Sequence, residues 1–201
     1  MAPPPQSAVD LGPDWVVAEM PPGYQNRVAE IQRLAADLES MGRFGRLLTE
    51  TGARLGETVR DVLASLQYDA TLTVDGNVTT VVAPLDRGRI YMHIASDGQL
   101  IQKKSPEIAR VFQLLQASDD RDHIVLITNA EPDRRPADRG QALSAEAAGF
   151  ITRMGASHLA ATILFALWKL SLEEPDRARE QVVRLHAHEG GVFELPAYAR
   201  L

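Results

Sequence analysis

The residues able to do chemistry are few and scattered. There is no cysteine, which excludes a disulfide framework, a thiolate metal site and a cysteine nucleophile. The five histidines are His93, His123, His158, His186 and His188. Only His186 and His188 are close in sequence, and two residues apart on a helix they point about 200° from each other, so they share no ligand face there. Without an acid partner the pair reads as two solvated histidines at a helix end rather than as metal ligands. No GxxxxGK[ST] phosphate loop, GxGxxG turn, HExxH zinc motif or GxSxG elbow occurs. The basic candidates are Lys103-Lys104 and three arginines on one polar stretch, Arg134, Arg135 and Arg139. Their guanidinium forks match phosphates or a partner's carboxylates. Asp133 and Asp138 share the stretch, so internal ion pairs on a solvated loop are the expectation.

The elements that position these residues come from an ordinary globular composition. The 201-residue chain is 45% hydrophobic and 24% charged, enough for one domain with an appendage. Lys+Arg 21 against Asp+Glu 27 leaves a net charge of −6, which disfavours nucleic acid as the partner while leaving room for a local basic patch. No apolar run reaches the roughly 18–20 residues of a membrane span, and the Met-Ala-Pro-Pro-Pro start lacks the basic and apolar segments of a secretory signal. The expectation is a soluble cytoplasmic chain with no membrane contact, no metal and no cofactor.

Residues 1–24 hold six of the twelve prolines and no Lys or Arg, which predicts an acidic, extended tail. Its apolar island, Trp15-Val16-Val17, is a candidate docking segment. A helix is expected over 25–42, with Tyr24, Val28, Ile31, Ala35 and Leu38 at the 3–4 spacing of a coiled-coil seam, a candidate homodimer contact. Residues 43–201 form the remaining domain. Leu47, Leu48, Leu55, Val59, Val62, Leu63 and Leu66 share a helix face, with a break near Thr51-Gly52. Three β-rich runs (70–74, 78–83 and 89–95) are divided by Asp75-Gly76-Asn77 and Asp86-Arg87-Gly88, which predicts an antiparallel meander. Ser105-Pro106-Glu107 opens a helix, with Ser105 as cap and Ile108, Val111, Phe112 and Leu115 on its buried face. The apolar run 123–129 reads as a central strand. Helices are expected over 144–154, over 157–172 with a short strand possible at its start, and over 176–186, and a strand over 192–195. The order describes an α/β domain whose mixed sheet is covered by helices on both faces.

Three stretches resemble the PD-(D/E)XK nuclease-like, or restriction-endonuclease-like, superfamily. They are the helical 47–68, the strand–turn–helix Arg-Ile-Tyr-Met-His-Ile-Ala-Ser-Asp-Gly running on through Lys103-Lys104 to 116, and 124–168, where an apolar strand ends in Thr128-Asn129. The resemblance implies an acid on the second strand and E-x-K or D-x-K on the third. Those carboxylates hold a divalent metal, and the lysine stabilises developing negative charge. Here the matching positions are Thr80, His93 and Ala95, with Glu57 at an accessory acid position on the opening helix. Both defining carboxylates and the lysine are absent, and Asp86, Asp97 and Glu107 read as turn and cap residues.

The missing site residues and the acidic balance lead to the expectation of a catalytically inactive module that works through a protein partner, homodimeric through the helix seam. One alternative is a metal-dependent nuclease whose active-site residues have moved, with Asp86, Asp97 and Glu107 as candidate carboxylates and Lys103 as the candidate lysine. The other is a nucleic-acid or nucleotide binder using Lys103, Lys104, Arg134, Arg135 and Arg139.

Overall fold

The computed structural model describes residues 14–196, and divides the chain into two units that meet at Gly42 and Arg43. In the first unit, α1 (Asp14–Glu19) makes part of the predicted extended tail helical, and α2 (Tyr24–Arg43) follows. Residues 1–13 of that tail lie outside the described residues. Trp15 is exposed and Val16 half-buried. No α2 residue is buried, and Ile31, Leu34, Leu38 and Met41 form a water-facing apolar stripe along it, with Leu38 70% exposed.

The second unit is α/β, built on one six-stranded mixed sheet in the order β1-β2-β3-β4-β5-β6. Short helix α3 (Arg46–Thr49) and α4 (Gly52–Ser65) divide at the predicted break, where Gly52 has φ +55°. Strands β1 (Thr71–Asp75), β2 (Val78–Leu85) and β3 (Gly88–Ile94) form the predicted antiparallel meander. Gly88 is required at its tip: φ is +145°, and a Cβ there would lie 2.1 Å from the Arg121 carbonyl oxygen.

Helix α5 (Pro106–Ala117) crosses over to β4 (His123–Thr128), which pairs parallel with β3 and is buried at every residue, as its apolar run predicts. Helix α6 (Ala145–Arg153) is capped by Ser144, which accepts the Ala147 N–H at 3.2 Å. Then come β5 (Ser157–Ala160), α7 (Ala161–Glu173), α8 (Pro175–His186) and the two-residue β6 (Gly191–Val192). Strand β5 is the short strand allowed at the start of the 157–172 run, and it lies parallel to β4. The expected strand over 192–195 is shorter and starts one residue earlier. Phe193 and Leu195 nevertheless continue its alternation into the core.

Period-2 alternation assigns each strand residue to a layer. One face carries Val81, Met92, Ile94, Val125, Ile127 and Leu159 against α4, α7 and α8. The other carries Ala95, Ile124 and Leu126 against α5 and α6. Phe112, expected in the α5 face, is 47% exposed, because Ile108 and Val111 fill the contact with the sheet. Among the described residues no helix is long and apolar enough to cross a membrane.

Candidate functional site

Thr80 and His93 are direct partners in the β2–β3 ladder and lie on the α5 side of the sheet. His93, Thr80 and Ala95 are all buried. The His93 Nδ1 lies 3.2 Å from the Thr79 carbonyl oxygen, so with its proton on Nδ1 the ring donates to the strand backbone. Burial pushes the His93 pKa down, the Thr79 hydrogen bond and the Glu107 charge oppose this, and Arg110 adds to it. Glu57 is not brought to the pair: α4 packs on the opposite face, and Glu57 is exposed there.

Glu107 does come close. It lies in the first turn of α5, where the sequence places it, and is also drawn into the turn after β3. It is 8% exposed and accepts a hydrogen bond from Ser96 Oγ at 3.0 Å, beside His93. Ser105 occupies the α5 cap position but makes no side-chain cap, since its Oγ accepts the Gln102 N–H at 2.9 Å. Asp97 serves its turn by accepting the Gln99 N–H at 2.9 Å, and Asp86 is exposed in the β2–β3 turn. Lys103 and Lys104 are exposed at the strand-to-helix corner, with the Lys103 ammonium 5.9 Å from the Phe150 ring centre. Among the described residues no group of three or more His, Asp or Glu side chains is arranged to hold a metal ion.

The three arginines separate. Arg134 pairs with Glu131 at 3.3 Å on the surface, the expected internal ion pair, and Arg135 is exposed. Arg139 is a strut. Its Nη1 donates to Asn129 Oδ1 at 2.6 Å, its Nε to the Arg134 carbonyl at 3.0 Å, and its Nη2 to the carbonyls of Leu48 and Pro132. Asn129 in turn donates to the Glu50 carbonyl at 2.8 Å. One guanidinium thus ties the loop after β4 to the α3–α4 junction.

Two histidine constellations lie on opposite faces of the parallel strands. At the start of β4 and β5, Ser157 Oγ is 2.8 Å from both His123 Nε2 and His188 Nδ1. A hydroxyl has one proton, so it donates to one ring and accepts from the other. His186 Nε2 lies 3.0 Å from the Arg121 carbonyl oxygen, and its ring meets His123 edge-on. An open groove of about 810 Å³ runs past these rings between Arg87, Asp120, Asp122 and Glu189. Burial, followed by the charges of His186 and His188, pushes the His123 pKa down to about 4. The expectation of two isolated, solvated histidines is corrected: both are half-buried and engaged. On the other face, Thr128 Oγ1 at the end of β4 and His158 Nε2 near the start of β5 are 2.8 Å apart, and burial holds the His158 pKa at about 4.

Compared with protein-family models, with curated proteins and with solved structures, the chain matches none.

Proposed function

We propose that the chain is a restriction-endonuclease-like member of the PD-(D/E)XK superfamily that has lost its chemistry and acts as a homodimeric protein-binding module. The observation that carries this reading is the content of the two strand positions. Where the superfamily places metal-binding carboxylates, β2 and β3 present Thr80 opposite a buried His93 that bonds to the β2 backbone at Thr79. A neutral imidazole in an apolar setting is a poor ligand for Mg²⁺, which takes oxygen donors. The element order supports the family: a helix, a three-strand meander, a crossover helix and a strand parallel to the third. The exposed stripe Ile31, Leu34, Leu38 and Met41, which shares Ile31 and Leu38 with the seam Tyr24, Val28, Ile31, Ala35 and Leu38, supports α2 as the contact with a second copy.

A second reading, a nuclease with relocated ligands, has one observation in its favour. Glu107 sits beside His93 on the face where catalysis would occur. Incubation of the full chain with single- and double-stranded DNA and RNA, with Mg²⁺ or Mn²⁺, separates the two. The binding-module reading predicts no cleavage. Metal-dependent cleavage abolished by Glu107→Gln would replace it with the nuclease.

A further inference from the structure

Strand β6 is held to the sheet by little. It is two residues long, lies at the edge beside β5, and pairs there through Ser157–Gly191 and His158–Val192. The Gly191 N–H donates to the Ala156 carbonyl at 2.8 Å, and the Phe193 N–H to the His158 carbonyl at 2.9 Å. Gly190 and Gly191 have φ +104° and +95°, a hinge that glycine adopts without strain. Beyond this hinge Phe193 and Leu195 are buried in the core. Strand β4, by contrast, is buried at every residue and paired on both sides.

A side-chain clasp adds to these bonds. His123 belongs to β4, Ser157 to β5, and His188 to the segment that leads into β6. The Ser157 Oγ is 2.8 Å from a nitrogen of each ring, and Ser157 is fully buried. The His188 ring also meets the Phe193 ring edge-on, with centres 5.5 Å apart.

The single hydroxyl proton limits what the clasp can hold. With both rings neutral, one ring donates to Oγ and the hydroxyl donates to the other. With one ring protonated, that ring donates and the hydroxyl turns to the neutral one, so the clasp stays intact. With both protonated, two cationic N–H groups face one oxygen and the hydroxyl proton has no acceptor. A buried unmet donor beside two like charges is costly.

The surrounding groups do not offset the second charge. His186 of α8 meets His123 edge-on and, with His188, opposes its protonation. Asp122, in the loop before β4, already accepts the Arg89 and Asp119 N–H groups at 2.9 and 3.1 Å. Asp120 and Glu189 are exposed on the rim, where Arg121 and Arg87 carry the opposite charge.

We propose that the segment 187–196 is a pH-released strap: a second proton on the His123–Ser157–His188 clasp detaches it from β5, baring Phe193, Leu195 and the β5 edge while β4 stays folded. The strap gives way because its attachments are the fewest of the three elements joined. This device rests on neither the nuclease-like reading nor the α2 contact.

The test is amide hydrogen exchange of the full-length, ¹⁵N-labelled protein, read by NMR at about pH 7.5 and about pH 5 and corrected for the intrinsic rate at each pH. Protection of the Gly191 and Phe193 amides is expected to fall about tenfold more than that of the β4 amides, since the open strap takes up a proton that the closed one refuses. His188→Gln, at a half-buried position, leaves Ser157 a polar partner and only one titrating ring, which the intact clasp accommodates. Most of the extra loss is expected to disappear in it. Equal loss at Gly191, Phe193 and β4 would mean that the segment opens only with the whole fold. An undiminished extra loss in folded His188→Gln would mean that the proton acts elsewhere. Either result would overturn the proposal, and the comparison within the unaltered protein decides even if the variant does not fold.

Discussion

Acid should destabilise this fold well before its carboxylates titrate. Burial holds His123 and His158 at about 4, against an ordinary 6.5. A histidine whose folded pKa is depressed stabilises the fold fully above its unfolded pKa. That contribution is lost as pH falls from about 6.5 towards the folded value of about 4. Between about pH 7.5 and about pH 5, the unfolded chain takes up a proton at each position while the folded chain takes up almost none. Linkage gives a loss of about 2 kcal/mol per histidine, or ~4 kcal/mol for the pair. His93, also depressed by burial, adds in the same direction.

The assay is urea denaturation followed by far-ultraviolet circular dichroism, in one buffer system at both pH values. With a urea slope of roughly 2 kcal/mol per molar, the midpoint should fall by about 2 M between the two pH values. His123→Gln should remove close to half of this dependence. Equal midpoints at both pH values would refute the reasoning, because two buried neutral histidines cannot remain uncoupled from protonation of the unfolded chain.

Two further outcomes follow from the geometry. Replacing Ile31 and Leu38 together by Glu should convert a dimer to a monomer in multi-angle light scattering, because both positions lie on the exposed α2 stripe; two dimers would place the interface elsewhere. Arg139→Met should cost about 2–3 kcal/mol, since it strands Asn129 and several carbonyls. Arg134→Ala, which breaks a surface pair, should change stability by less than about 1 kcal/mol. Equal effects in thermal melts would contradict the strut.

Local chemistry explains which parts of the fold were legible in the sequence. The glycine-containing turns at 75–77 and 86–88, the apolar run of β4 and the break at Thr51-Gly52 are short-range signals, and each element falls where its residues place it. The tail residues 14–19 form a helix that proline content does not foretell, and Phe112 leaves the core because two other residues of α5 suffice to fill the contact. The site was harder to read. Glu107 looks like a helix-start acid, and its contact with Ser96 depends on how the turn after β3 returns to the sheet. His123, Ser157 and His188 are more than thirty residues apart from one to the next and meet only because β4, β5 and the segment after α8 lie side by side. A histidine and a serine at the starts of two apolar runs were the available signal. Arg139 differs from its neighbours Arg134 and Arg135 only in the carbonyls that the folded loop turns towards it.

On the proposed reading, Thr80, His93 and Ala95 hold no metal ion. Calorimetric titration of the metal-free full chain with Mn²⁺, which accepts both oxygen and imidazole donors, tests it most directly. The account predicts no stoichiometric binding heat. One site of micromolar affinity, lost in Glu107→Gln, would mean that Glu107 and His93 form a working metal centre, and would contradict it.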